Sequence, residues 1–311
     1  MKLIKKVAIL MSTYNGEKYI SCQLDSVINQ KNDSNFELTI YIRDDGSTDS
    51  TLKIIKEYAR KYPRKIIYLN SKENLGPKKS FFHLMNCVDS DFYFFCDQDD
   101  YWLDNKVDSA LIQLDSIKKI PALYYGSMIQ ADRNLKKLGV VNKKNYPENF
   151  VSSLNETLAS GLTIAFNSSL MDIFREKYNK LSCNNIIMHD SWMYLLASAF
   201  GKVIFDSAPH VLYRQHSSNV VGTTGNNLFK KIFKIREIFN KFYKNGLFKK
   251  QANELLKNYG ECLSKEKRNA INIFLSSNRQ LKEVFWILKK IKIKNRLLAF
   301  LILISIFFKK Y

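Results

Sequence analysis

Short apolar runs alternate with helix-like patterns along the first hundred residues. The runs at 7–11, 38–42, 65–69 and 92–96 are too short for ordinary helices and are predicted to be strands. After each of the first three, apolar residues recur at intervals of three or four, which is the spacing of an amphipathic helix. This repeated order of strand and helix predicts an α/β fold with a doubly wound, largely parallel sheet.

The pattern loosens after residue 102. It predicts, in order, a helix at 103–117, an extended segment at 122–125, a hairpin within 128–141, a strand at 161–166, a helix opening at 188–192 and running to 200, and a strand at 202–205. A polar loop then reaches Asn227, where we place a domain boundary. The sequence thus predicts a first domain, residues 1–226, and a basic, amphipathic helical region, residues 227–311.

Three carboxylates stand where the fourth predicted strand ends. The apolar run 92–96 stops at Asp97, and Asp99 and Asp100 follow closely. Ligands of parallel sheets bind at the carboxyl ends of strands, and carboxylates crowded there repel each other unless a cation lies among them. Oxygen ligands with open positions suit Mg²⁺ or Mn²⁺ carrying a diphosphate. A turn that only caps the next helix needs one aspartate, so we expect a metal and diphosphate site here.

A second acidic motif, Asp44-Asp45-Gly46-Ser47, follows the strand predicted at 38–42. Its short acidic side chains could accept the N3 proton of a pyrimidine or bind the hydroxyls of a ribose. Taken alone, the motif is better explained as a turn that caps the next helix. Because neighbouring strand ends of one sheet bring it beside the carboxylates at 97–100, we expect it to bind a nucleotide.

Asp190, Arg214 and His216 add groups that chemistry at a phosphate or a sugar would use. Asp190 could take the proton from an attacking hydroxyl as a general base, although a helix N-cap explains it about as well in isolation. His216 could complete the metal site or hydrogen-bond a diphosphate, whereas a single histidine usually belongs to a core or a surface. Arg214 supplies positive charge for a phosphate.

The formal net charge of +20 is distributed unevenly over the 311 residues. Residues 227–311 hold 21 Lys and Arg against five Glu and no Asp, a net charge of +16, so the first 226 residues carry only +4. A strongly basic chain is typical of nucleic-acid binders, but here the excess belongs to the tail. We therefore do not expect nucleic acid as a partner of the first domain.

The basic tail also contains an apolar run at 297–308, which at ~12 residues is shorter than the ~20 that span a bilayer. With the flanking Lys and Arg residues and the amphipathic segment 228–243, it predicts peripheral contact with an anionic membrane. The alternatives are packing on the first domain or on a second copy in a homodimer.

Five cysteines without a CxxC pair indicate neither a disulfide framework nor a zinc site. They favour a cytoplasmic setting, and with the membrane contact of the tail we expect the protein at the inner face of the membrane.

Together these motifs resemble the family 2 inverting glycosyltransferases with the GT-A fold, and among them the bacterial rhamnosyltransferase-like enzymes of cell-surface polysaccharide assembly. The resemblance covers residues 7 to about 222. It rests on the ordered segments Met11-Ser12-Thr13-Tyr14-Asn15-Gly16, Arg43-Asp44-Asp45-Gly46-Ser47, Asn74-Leu75-Gly76 with Ser80-Phe81, Cys96-Asp97-Gln98-Asp99-Asp100-Tyr101-Trp102, His189-Asp190-Ser191-Trp192, and 213–222 beginning Tyr213-Arg214-Gln215-His216. It implies a Rossmann-like, mostly parallel sheet with flanking helices, followed here by a C-terminal helical extension that matches no family motif.

The resemblance implies a role for each matched position. Ser12, Tyr14 and Asp45 would hold the nucleotide base, and Asp97 and Asp99 would form the DXD pair at the ribose and the metal. Asp190 would be the catalytic base, and His216 would help to hold the metal diphosphate. The full nucleotide-binding set that we expect is Ser12, Tyr14, Asn15, Asp44, Asp45, Asn74, Lys79, Asp97 and Arg214, and the expected ligands of Mn²⁺ or Mg²⁺ are Asp97, Asp99 and His216.

The implied reaction moves a sugar from a nucleotide-diphosphate donor to a hydroxyl of a lipid-linked or polysaccharide acceptor, with inversion. The resemblance favours dTDP-rhamnose as donor, and a UDP-hexose would use the same residues. A nucleotidyltransferase should show a Gly-rich, basic phosphate loop after the first strand, but residues 12–17 contain one glycine and no basic residue. A non-enzymatic polyanion-binding protein would account for the charge of the tail but not for the carboxylates of the first domain.

Overall fold

The computed structural model describes residues 4–71, 73–117, 119–141, 149–216 and 246–276. The strands are β1 (Lys5–Thr13), β2 (Phe36–Asp44), β3 (Ile66–Leu69), β4 (Phe92–Cys96), β5 (Tyr101–Trp102), β6 (Ala122–Ala131), β7 (Lys137–Val141), β8 (Ala165–Asn167) and β9 (Lys202–Arg214). The helices are α1 (Ile20–Ile28), α2 (Thr51–Lys61), α3 (Gly76–Cys87), α4 (Lys106–Asp115), α5 (Phe150–Ser153), α6 (Ser168–Lys177), α7 (His189–Phe200), α8 (Leu247–Tyr259) and α9 (Lys265–Ser276).

The first half of the sheet is parallel, in the order β3-β2-β1-β4. Its four strands and the helices between them confirm the predicted βα repetition. Thr13 is paired with Asp44, and Met11 is paired with Cys96. The carboxyl ends of β1, β2 and β4 therefore lie side by side, and the loops that follow them share one edge of the sheet.

The second half continues as β8-β6-β9-β5 and mixes the two directions. β8 is antiparallel to both β4 and β6, whereas β9 runs parallel to β6 and antiparallel to β5. β7 pairs antiparallel with β6, which confirms the predicted hairpin. Because β9 ends at Arg214 beside β5, it brings the chain back to the loop that follows β4.

Two strands differ from their predicted bounds. Residues 161–163 of the strand predicted at 161–166 form a 3₁₀ turn, closed by hydrogen bonds from Thr163 N to Ser160 O and from Ile164 N to Gly161 O. The strand predicted at 202–205 continues to Arg214, and register shifts in its pairing with β6 accommodate the irregular stretch before Pro209. The sequence pattern missed this continuity because the irregular stretch interrupts the apolar run.

Both faces of the sheet are covered, and alternate residues of each central strand enter different cores. In β4, Tyr93 and Phe95 pack with α3, α6 and α7, while Phe92, Phe94 and Cys96 pack with α1 and α4. All five residues of β4 are buried. This explains the unbroken apolar run, since a strand covered on both sides has no polar face.

Helices α8 and α9 belong to the same core as the sheet. Ala252, Leu255 and Tyr259 of α8 and Ile271 and Phe274 of α9 are buried in the cluster that contains β4 and α7. The predicted boundary after residue 226 falls outside the described residues, as do the apolar run at 297–308 and most of the segment 228–243. Within the described ranges, no helix combines the length and the apolar character needed to cross a bilayer.

We predict that replacing Leu255, which is fully buried, with alanine destabilises the whole chain. The lost contacts and the resulting cavity should lower the free energy of unfolding by about 2–5 kcal/mol. Urea unfolding followed by tryptophan fluorescence reports on the sheet core, since Trp192 lies 6.2 Å from Tyr259 between ring centroids. Lys250→Ala, at an exposed position of α8, is the matched control. A main transition that Leu255→Ala leaves unchanged would show that the helices fold separately.

Candidate active site

The loop after β1 lies at the edge of the sheet and is held by hydrogen bonds to two other loops. The side-chain amide of Gln98 pairs with the backbone of Tyr14, since Tyr14 N donates to Gln98 Oε1 and Gln98 Nε2 donates to Tyr14 O, each at 2.9 Å. A Cβ atom on Gly16 would lie 2.2 Å from Gln98 Oε1, so a larger residue would displace the Gln98 amide from this pairing. Asn15 adopts a left-handed backbone and accepts a hydrogen bond from Thr48 N. The Tyr14 ring is left 48% exposed beside this loop.

Asp44, the last residue of β2, and Asp45, which follows it, are buried and hydrogen-bond to neighbouring loops. Asp44 accepts hydrogen bonds from Thr13 Oγ1 at 2.9 Å and from the backbone N–H of Ser47 at 2.9 Å. Asp45 accepts from Ser80 Oγ, Leu75 N and Gly76 N, and it forms an ion pair with Arg43. Burial alone would raise the pKa of Asp45, but these hydrogen bonds outweigh it and hold the pKa below its usual range.

Arg43 completes this arrangement beneath the loop. It is 1% exposed and also donates to Ser71 Oγ at 2.6 Å and to the carbonyl of Glu73 at 2.8 Å. The carboxylate of Asp45 is thus surrounded by donors of the chain itself and shapes the turn before α3. Its expected contact with a nucleotide base stays a prediction.

The other predicted nucleotide contacts lie on the same rim. Ser12 is the penultimate residue of β1 and is partly buried. Asn74 and Lys79 are exposed, in the turn before α3 and in its first turn. The neighbouring Lys78 points elsewhere, because its ammonium group donates to the carbonyls of Cys183 and Ile186.

The carboxylates after β4 are crowded, as predicted. Burial and the negative charges of Asp99 and Asp190 raise the pKa of Asp97 to about 7. Asp100 is fully buried, and burial and its acidic neighbours raise its pKa well above the usual range. Asp100 Oδ1 accepts a hydrogen bond from Arg214 N at 3.0 Å, while Oδ2 has no partner in the part of the chain that the structure describes.

Two basic residues at the end of β9 and just after it contact Asp99. His216 Nε2 lies 2.9 Å from Asp99 Oδ2, and Arg214 Nε donates to the carbonyl of Asp99 at 2.7 Å. Tyr19, at the start of α1, packs against both. Its ring centroid lies 4.7 Å from that of His216 and 4.7 Å from the Arg214 guanidinium carbon. The structure therefore brings Asp99 together with Arg214 and His216, which lie more than 100 residues later in the sequence.

A buried lysine lies behind the acidic cluster. Lys106 is 2% exposed, donates to the carbonyl of Leu162 at 2.8 Å and lies 4.5 Å from the Trp102 ring centroid. Burial lowers the pKa of Lys106 to about 8, although the negative potential of Cys96, Asp100 and Asp97 opposes this change. Its ammonium group partly offsets the charge that the carboxylates concentrate at this edge.

Asp190 stands in the first turn of α7, where a helix favours negative charge. Its Oδ2 accepts from Gly161 N at 3.1 Å, and its Oδ1 accepts from Ser191 N at 2.7 Å. Burial raises the pKa of Asp190 despite these hydrogen bonds. The charge of Asp190 contributes to the raised pKa of Asp97, so the two carboxyl groups are near enough to interact electrostatically.

His189 next to it has a different environment. Its ring stacks on Phe81 with centroids 3.9 Å apart and meets the edge of Phe95 at 4.6 Å. Burial lowers the pKa of His189 to about 3, so the ring is neutral. His189 therefore packs the start of α7 against the core, directly beside Asp190.

The donor atoms present fit a divalent cation that takes further ligands from elsewhere. Asp97 and Asp99 offer carboxylate oxygens, and His216 offers an imidazole nitrogen, a set that suits Mn²⁺ or Mg²⁺. Among the described residues, no three such side chains already converge on one point as a finished metal centre. A magnesium or manganese ion bound through few protein ligands usually completes its shell with diphosphate oxygens and water.

Sequence reasoning missed four residues that shape the site: Tyr19, Arg43, Gln98 and Lys106. Lys106 had a detectable signal, because it precedes Ala110 and Leu114 at helical spacing and so belongs to the buried stripe of α4. Gln98 and Arg43 lie inside motifs that the sequence analysis identified, but those motifs were interpreted only through their aspartates. Nothing in the local pattern distinguishes Tyr19 from a surface aromatic.

Comparison with known proteins gives consistent matches. The family model described as Glycosyl transferase family 2 matches residues 8–180. The chain is 33% identical over 247 residues to the dTDP-rhamnosyl transferase RfbG of Shigella flexneri, covering 77% of this chain and 82% of that protein.

Two solved structures share the fold. TarS 1–349 of Staphylococcus aureus in complex with UDP matches with a TM-score of 0.56 and 18% identity, over 90% of this chain and 75% of that one. The mannosyltransferase PcManGT of Pyrobaculum calidifontis, in complex with GDP-Man and Mn²⁺, matches with a TM-score of 0.51 and 14% identity, over 98% and 80% of the two chains. At 18% and 14% identity, these structural matches show a shared fold and nothing further.

We predict that Asp97→Asn stabilises the chain at high pH. A native pKa of about 7, against an ordinary value of 3.8, means that the folded state binds more protons than the unfolded state between these pH values. The free energy of unfolding should therefore fall as the pH rises from 4 to 7. Asparagine removes the repelled charge and should gain about 1–2 kcal/mol at pH 8, less than the full shift implies because Asp97 is partly solvent exposed.

Urea unfolding in EDTA at pH 5 and pH 8 measures this difference. At pH 5 the folded wild type still holds the proton on Asp97, so the gain from asparagine should be clearly smaller than at pH 8. Asp172→Asn, at an exposed position of α6, should show no such pH-dependent gain. Destabilisation by Asp97→Asn at pH 8 would contradict the prediction.

Proposed function

The chain belongs to glycosyl transferase family 2 and has the GT-A fold, and from this premise we propose that it transfers a sugar, with rhamnose favoured, from a nucleoside-diphosphate donor to a hydroxyl of a lipid-linked or polysaccharide acceptor. The observation that supports the proposal is that Arg214 and His216 contact Asp99, while the charges of Asp99 and Asp190 both act on Asp97. These are an acidic cluster, a candidate base, an arginine that can bind phosphate and a histidine that can bind a metal ion.

Each group has a proposed part in binding the donor. Tyr14 offers an exposed ring for the base, on a loop that Gln98 and Asn15 hold rigid. Arg214 and His216 face the diphosphate, and Tyr19 keeps them in place. A divalent cation held by Asp97, Asp99 and His216 would supply positive charge for the leaving diphosphate.

Asp190 is the proposed general base. The acceptor hydroxyl oxygen attacks the anomeric carbon, the bond from that carbon to the diphosphate oxygen breaks, and Asp190 receives the hydroxyl proton. Because burial raises the pKa of Asp190, its carboxylate is a better proton acceptor than an exposed aspartate. Attack from the face opposite the diphosphate inverts the anomeric configuration.

The favoured donor rests on one relative. The Shigella flexneri protein is a dTDP-rhamnosyl transferase and aligns over most of both chains, which supports dTDP-rhamnose. A UDP-hexose is the second candidate, since UDP and dTDP are both pyrimidine nucleotides and would meet the same groups. Family membership argues against the nucleotidyltransferase and polyanion-binding alternatives.

The cellular setting is also a proposal. Basic residues around the apolar run at 297–308 support peripheral contact with the inner face of the cell membrane, where a lipid-linked acceptor would lie. That run lies outside the described residues. A homodimer stays a prediction from the sequence.

Turnover of a donor panel tests the proposed reaction. Purified protein is given dTDP-rhamnose or UDP-hexoses with Mn²⁺, Mg²⁺ or EDTA, and released nucleoside diphosphate is measured with and without acceptor. We expect metal-dependent release from one donor and a loss of ~10²–10⁴-fold in kcat for Asp190→Asn, with a nearly unchanged donor KM. Asp172→Asn should retain wild-type kcat. Full activity of Asp190→Asn, or a product whose anomeric configuration is retained by NMR, would contradict the mechanism.

A further inference from the structure

The segment that leads into Asp190 is held between two helices. Residues 182–187 precede α7 and contain a 3₁₀ turn, Cys183–Asn185. From α3, Lys78 donates to the carbonyls of Cys183 and Ile186, each at 2.5 Å. Helix α8, which lies beyond the last sequence motif, contacts the same segment from the other side.

Two buried polar side chains of α8 make this contact. Glu254 accepts hydrogen bonds from Ser182 N at 2.8 Å and from Asn185 Nδ2 at 2.7 Å. Gln251 Oε1 accepts from Ile187 N at 2.9 Å. Both side chains are 1% exposed. Both side chains thus bind this short segment, and Asn258 Nδ2 of the same helix also donates to Glu254 Oε1 at 2.9 Å.

Gln251 also reaches the far side of Asp190. Its Nε2 donates to Ser191 Oγ at 3.2 Å, and Ser191 Oγ lies 2.7 Å from Thr157 Oγ1. The backbone N–H of Ser191 in turn donates to the carboxylate of Asp190. One amide group thus ties the chain three residues before Asp190 to the residue directly after it.

Stability alone does not explain polar groups at this place. Ala252, Leu255 and Tyr259 already bury the apolar face of α8 in the core. Apolar side chains of similar volume at 251 and 254 would extend that packing, since burying polar groups costs free energy even when they are paired. What the polar pair adds is directional contact, because two of its hydrogen bonds fix the backbone N–H groups of Ser182 and Ile187 at the two ends of the segment.

We propose that Gln251 and Glu254 are positioning residues for Asp190, so that helix α8 completes the active site built by the first 216 residues. The inference rests on the proposed function, in which Asp190 receives the proton of the acceptor. A displacement of about 1 Å in a catalytic group can cost ~10²-fold in rate, so hydrogen bonds that fix its helix turn have kinetic consequences.

The test is a double-mutant cycle in the full chain. Gln251→Leu keeps the size of the side chain and removes its hydrogen bonds. We expect kcat to fall at least ~10-fold, while donor KM and the Kd of the nucleoside diphosphate stay within about twofold, because the nucleotide residues lie on other elements. In an Asp190→Asn background, the same substitution should change the residual rate less than about twofold, since Gln251 acts through Asp190.

Two further variants separate positioning from folding. Ile271→Val removes a methyl group from the buried face of α9, away from the segment, and should lower Tm while kcat stays at the wild-type value. Ser191→Ala removes the hydroxyl that joins Gln251 to α7, with little change in volume. It should reproduce the fall in kcat at smaller amplitude, whether or not Gln251→Leu folds.

The outcomes are distinguishable. Wild-type kcat in Ser191→Ala and in folded Gln251→Leu would overturn the inference, as would equal losses in the wild-type and Asp190→Asn backgrounds or a matching loss of nucleotide affinity. Absence of transfer by the wild-type chain, or full activity of Asp190→Asn, would instead overturn the proposed function on which the inference rests.

Discussion

Electrostatic repulsion among carboxylates at the carboxyl edge of the sheet is the constraint on which the rest of the structure depends. Asp97, Asp99, Asp100 and Asp190 approach one another there, and the pKa of Asp97 is raised to about 7 by burial and by the charges of Asp99 and Asp190. Two positively charged side chains lie beside these carboxylates, Lys106 and Arg214, and His216 hydrogen-bonds to Asp99. The remaining negative charge is what a bound divalent cation would balance.

The sequence was sufficient for the parallel half of the fold and for most of the crevice. Apolar runs of strand length, each ending in polar residues, located β1, β2 and β4, and parallel pairing makes their ends neighbours. It was insufficient where tertiary contacts decide the structure. The irregular stretch before Pro209 concealed the length of β9, and the carboxylate of Asp45 proved to be occupied by Arg43 and by donors of the turn before α3.

The C-terminal helices show a different limit of sequence reasoning. Their basic composition suggested a separate region, because charge dominates a count of residues. Packing on the first domain was one alternative left open, and their buried positions lie in the same core as β4 and α7, with Gln251 and Glu254 hydrogen-bonded to the segment before Asp190. Residues some 60 to 70 positions apart leave no local pattern in the sequence when they are in contact, so these hydrogen bonds could be identified only from the fold.

The central claim is that the crowded edge of the sheet is a binding site for a metal-bound nucleoside diphosphate. Isothermal titration of dTDP and UDP, with Mn²⁺ or with EDTA, tests it most directly when wild type, Asp99→Asn and the exposed control Asp172→Asn are compared. The account predicts that one nucleotide binds in the presence of Mn²⁺, that EDTA or Asp99→Asn weakens its affinity at least ~10-fold, and that Asp172→Asn does not. Binding that is independent of both the metal and Asp99, or absent for both nucleotides, would contradict it.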